Sequence, residues 1–85
     1  MNYKSRISKK EFSYLLDRMS NHDYKGDSTL LVCHIGRLTR MIEVDRYSVL
    51  NGVNPVLTED ESSKACSLII KRTKEFCEEV ENMRL

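Results

Sequence analysis

No apolar run in this chain approaches the roughly 18 residues of a membrane-spanning helix, so no segment is expected to cross a bilayer. An excess of one charge sign is also missing. Fourteen Lys and Arg stand against 13 Asp and Glu, for a formal net charge of +1, which is not the balance of a generic nucleic-acid binder. The three cysteines are odd in number and lie in no C-x-x-C pair. That argues against a disulfide framework and for reduced thiols in the cytoplasm. On one helix Cys66 and Cys77 would stand about 16 Å apart along the axis, too far for a shared disulfide or zinc, so buried, inert thiols are expected. No nucleophile–base pair is recognisable, and two histidines without a second signature do not make an active site. Neither enzymatic activity nor a cofactor or metal is expected. The opening M-N-Y-K-S-R-I-S-K-K is basic but has no apolar core, so a secretory leader is not expected.

Glycine and proline are absent after Pro55, and nothing there interrupts a helix. Cys66, Ile69, Thr73, Phe76, Val80 and Met83 are spaced 3, 4, 3, 4, 3, a heptad seam on one stripe of a helix. A strand would have Lys71, Lys74 and Glu78 on its faces. Thr58 and Glu61 have the spacing of a capping box, and Glu59, Asp60 and Glu61 suit the positive end of the helix dipole. The pattern predicts a helix over 58–83, roughly 39 Å long. A weaker apolar line, Ala65, Leu68 and Ile70, implies that it touches more than one neighbour.

Upstream, Ser8 and Glu11 read as a second capping box, and Ile7 and Phe12 as a hydrophobic staple. They predict a helix over 8–20 whose buried face is Phe12, Leu15, Leu16 and Met19. The run Asn21 to Asp27 is turn chemistry, with Gly26 free to take φ > 0. Asp27 or Ser28 can cap a helix over 28–50, whose seam is Leu31, Ile35, Leu38, Ile42, Asp45 and Val49. A β-hairpin over 29–44 is the rival, since T-L-L-V-C-H-I is rich in β-formers, but it lacks a two-residue turn and the spacing is helical. Asn51-Gly52 is a helix stop with Gly52 at C′, and Pro55 bars continuation. The expected fold is all-α: a short N-terminal helix plus a long antiparallel helical hairpin, a three-helix bundle in one small domain, 1–85. A chain of this size buries only about 60–65% of its unfolded surface, so it is expected to form a dimer or larger oligomer.

Two cationic groups are candidate anion or DNA sites. Lys4, Arg6, Lys9 and Lys10 surround the start of the first helix, where free N–H groups and lysines can hold phosphate. In an up-down-up bundle that start lies beside Glu59, Asp60 and Glu61, and the charges would then neutralise each other. His34, Arg37 and Arg40, with Arg46 beyond, lie on the less apolar side of the middle helix, interrupted by Glu43 and Asp45. Tyr24 and Lys25 form a candidate ligand loop if the loop is exposed, and a Tyr24 that folds back on the bundle is the equal alternative.

The segment L-N-G-V-N-P-V-L, Leu50 to Leu57, resembles the end of the recognition helix and the following loop in phage-repressor-like helix-turn-helix proteins. The resemblance covers about a dozen residues from Asp45 onward. It implies that Asp45, Arg46, Tyr47 and Ser48 face DNA bases and that Arg37 and Arg40 face the backbone. Upstream the chain departs from the pattern, with Arg40 where the turn glycine belongs and Arg46 at a normally apolar position.

The leading expectation is a small cytoplasmic regulatory or adaptor protein. It would bind another protein, or itself as a homo-oligomer, through the apolar helix face of Leu68, Ile69, Phe76 and Val80. A helix-turn-helix DNA-binding regulator is the alternative. A binder of a small phosphorylated ligand is the third.

Overall fold

The computed structural model describes residues 7–83; Lys4 and Arg6 lie outside them. Three helices follow one another: α1 Lys9–Asn21, α2 Ser28–Leu50 and α3 Glu59–Met83. All three pack together, and the expected all-α bundle is present. The span that could have been a hairpin is helical throughout. Among the described residues no helix is long and apolar enough to cross a membrane.

Local chemistry sets the boundaries. Ser8 Oγ accepts from Glu11 N–H at 3.1 Å, and Asp27 Oδ1 from Leu30 N–H at 3.2 Å. Both satisfy amide groups that have no partner inside the helix. At the start of α3 the capping box is complete. Glu61 N–H donates to Thr58 Oγ1 at 3.1 Å, and Thr58 N–H donates to Glu61 Oε1 at 2.9 Å. The end of α2 is a Schellman motif: Val53 N–H reaches Ser48 C=O at 2.9 Å and Gly52 N–H reaches Val49 C=O at 3.0 Å. Gly52 takes φ 82°, a conformation that β-carbon sterics disfavour for other residues.

Phe12, Leu15 and Met19 of α1 close over Leu38 and Met41 of α2, Ala65 of α3 and Leu57 of the connector. Ile7 packs against this core from just before α1. Burying such side chains contributes about 1.5–3 kcal/mol each.

The phase of α3 differs from expectation. Ala65 and Arg72 are buried, Leu68, Ile69 and Phe76 are half-buried, and Cys66, Thr73, Val80 and Met83 are exposed. The heptad row therefore lies at the edge of the contact, whose centre is Ala65 and Arg72, and Ile70 of the weaker line is exposed as well. The reason is that α3 touches two helices at once. The ridge that faces the gap between α1 and α2 is the buried one, and periodicity along one helix does not locate that gap. The same rotation corrects the expectation of buried thiols: Cys66 and Cys77 are exposed, as is Cys33 on α2.

Candidate functional site

Where α1 ends, a buried polar cluster replaces the missing glycine cap. Arg72, on α3, donates from Nε to Met19 C=O and from Nη2 to His22 C=O, both at 2.9 Å. Its Nη1 donates to Glu75 at 2.7 Å, and its guanidinium lies 5.0 Å from the centre of the Tyr24 ring. An arginine can satisfy the last carbonyls of a helix in this way. Tyr24 hydroxyl and His34 Nδ1 lie 2.6 Å apart, both side chains buried. Burial lowers the proton affinity of His34, helped by Arg18 and His22 and opposed by Asp27. Neutral Nδ1 then accepts from the tyrosine. Burial also raises the Tyr24 hydroxyl above its ordinary value, against the pull of Arg18 and Arg72. With Arg72 already hydrogen-bonded at all three nitrogens, this cluster reads as a clasp between α1, α2 and α3. Tyr24 is folded back on the bundle, one of the two arrangements expected for it, and His34 faces inward, which corrects its expected place on the less apolar side. Lys25 alone of that candidate loop pair is exposed.

A second clasp holds the connector. Asp45 is buried, and its carboxylate accepts from Val56 N–H at 2.8 Å and Leu57 N–H at 3.2 Å. The DNA-facing role implied for Asp45 is thus replaced by a structural one. Ser48 is buried too, donating to Val44 C=O at 2.9 Å. Arg46 and Tyr47 are exposed, but α2 runs unbroken through Arg40, so the turn between two helices that the resemblance implies is absent.

Two of the cationic candidates, Lys9 and Arg37, are paired inside the molecule. Lys9 pairs with Glu61 at 2.7 Å, as the neutralising arrangement of the two helix starts required. Hydrogen bonds from Lys9, then from the Thr58 N–H, hold the Glu61 carboxyl below its ordinary range. Arg37 pairs with Glu11 of α1. Lys10 and Arg40 are exposed.

These pairs also locate α1. Arg37 meets α1 on one side of α2, and Lys64 of α3 lies beside Ser13, Leu16 and Asp17. Two positions along a helix amount to a rotation of about 200°, so Thr39 and Cys66 point away from α1. Around them runs the face of the α2–α3 pair that is left uncovered among the described residues. Val32, Ile35, Thr39 and Ile42 form its row on α2. Ser62, Cys66, Ile69, Thr73, Phe76 and Val80 form its row on α3. At one end the two rows meet in a groove lined by Ile42, Arg46, Val49 and Ser62. Ile35, Ile42 and Ile69 touch the core from their inner sides. Val32 is 44% exposed, Val80 37% and Ile70, at the rim, 60%.

Of the four residues expected to bind protein, Ile69, Phe76 and Val80 lie on this face. Leu68, like Ile69, is half-buried against the core. Val32, Ile35 and Ile42 were missed as site residues, because the seam of α2 reads as internal core when the helix is taken alone. Comparison of the chain with protein-family models, with curated proteins and with solved structures gave no match.

Proposed function

We propose that this protein works by docking a helical polypeptide on the uncovered face of the α2–α3 pair, as a small regulator or adaptor and not as an enzyme. One observation carries the reading. Nearly a third of the chain is charged, yet the ten row positions between Val32 and Ile42 and between Ser62 and Val80 are uncharged, and charge enters at the end of the face with Arg46 and Glu59. Solvated helix faces in such a protein carry charge, and depletion of charge is the compositional mark of an interface core. Helices dock through apolar side chains at 3- and 4-residue spacing, the spacing found in both rows. The exposed, unpaired thiols fit a reducing compartment such as the cytoplasm.

Native mass spectrometry of the protein purified gently from its own cells tests this reading. The wild type should carry mass beyond one 9.9 kDa chain. The double variant Val32→Lys/Val80→Lys, still helical by circular dichroism, should lose it. A bare wild-type chain, or added mass that survives both substitutions, would reject docking at this face.

A further inference from the structure

We infer that the polypeptide seated on the α2–α3 face is a second copy of this chain, so that two helical pairs form one four-helix core with an α1 on each outer side. The inference rests on the reading of that face as a docking surface and names its occupant. The first support is self-complementarity. Val32, Ile35, Thr39 and Ile42 on α2 are spaced 3, 4, 3, and Ser62, Cys66, Ile69, Thr73, Phe76 and Val80 on α3 are spaced 4, 3, 4, 3, 4. Four-helix bundles use this seam on every helix, and a two-fold symmetric contact needs one patch that matches itself. A single docked helix would fill the centre and leave Val32 and Ile70 uncovered at the rims.

Area is the second support. Ser62 to Val80 spans roughly 27 Å and two helices are about 20 Å wide. Each copy therefore offers on the order of 500 Å², and two copies reach about 1,000 Å², the lower bound for a specific interface. One polar group at the centre of the α2 row does not oppose this. The Thr39 hydroxyl already donates to Ile35 C=O at 2.7 Å, so burying it leaves no donor unsatisfied. A net charge of +1 gives little repulsion between copies.

Gly36 is the third support. It sits one turn from Val32, mid-helix, where glycine costs about 1 kcal/mol relative to alanine. Its φ is not positive, and a β-carbon built on it meets nothing within 4 Å. A single copy supplies no reason for glycine there, whereas close approach of another backbone does.

The test uses the purified full chain. Sedimentation equilibrium from about 1 to several hundred micromolar should give twice 9.9 kDa at the upper end. Val32→Lys/Val80→Lys should raise the dissociation constant by about 100-fold or more, since like charges would be forced together across the interface. A native thiol reports which face is used. Cys66 lies on the face, so its maleimide labelling should slow as concentration rises. A wild type that stays at 9.9 kDa throughout overturns the inference, as does a dimer in which Cys66 labelling does not slow. If the purified chain is monomeric but the complex from cells still loses mass in the double variant, the docking reading stands with another occupant. If that complex ignores the substitutions, the docking reading fails as well.

Discussion

The two broad faces of the α2–α3 pair carry similar apolar side chains but have different borders. On the face that α1 covers, Phe12, Leu15 and Met19 are almost wholly buried, and the rim is closed by Lys9–Glu61, Arg37–Glu11 and the three hydrogen bonds of Arg72. On the opposite face, isoleucines, valines and a phenylalanine stand half-exposed, with Arg46 and Glu59 at one end. A finished intramolecular contact is bordered by groups that orient the helix and meet water, whereas a contact awaiting a partner leaves its apolar rows open. The difference separates side chains that hold one chain together from side chains that meet a second one.

Cutting a large side chain on each face gives the largest contrast. Phe12→Ala should cost about 3–5 kcal/mol of unfolding free energy, which at this chain length endangers folding. Val80→Ala should cost less than about 1 kcal/mol in dilute solution, where its side chain is already 37% exposed. Urea denaturation of both variants at low micromolar concentration measures the difference, and equal losses would erase the distinction between the faces.

Arg72→Met sharpens the comparison. It keeps most of the apolar stem but leaves Met19 and His22 carbonyls without their donors. A loss of about 2–3 kcal/mol is expected, with amide exchange accelerated first in the last turn of α1. Uniform acceleration over all three helices would contradict the local clasp.

A pH effect should be the smallest. His34 has a lowered proton affinity in the folded chain, so the unfolded chain binds the proton more readily. Stability is then full above the ordinary histidine value of about 6.5 and declines as pH falls below it. The melting temperature of His34→Gln should fall less than that of the wild type between pH 7 and 5.5, and parallel curves would remove His34 as the cause.

Helix positions were legible in the sequence because their causes are local. Ser8, Asp27 and Thr58 cap the helices they were expected to start, and Gly52 ends α2 as expected. Each signal involves groups within a few residues of one another, so the expected spans 8–20, 28–50 and 58–83 lie within a residue of those found. The charge pairing between the starts of α1 and α3 was also legible, because an up-down-up order brings them together. The candidate site was legible only in part. Ile69, Phe76 and Val80 belong to the uncovered face, but the heptad regularity that drew attention to them does not tell an internal seam from an external one.

The sequence by itself determined three helices, their caps and their antiparallel order, since backbone donors, side-chain oxygens and 3.6-residue periodicity act over short distances. Only the tertiary structure decided how far α3 is rotated. Its inner ridge must serve α1 and α2 together, which turns Ala65 and Arg72 inward and Cys66, Thr73 and Val80 out. It also decided that Arg72 caps a helix about fifty residues away and that Asp45 holds a connector, because a buried charge finds its partners through space and not along the chain.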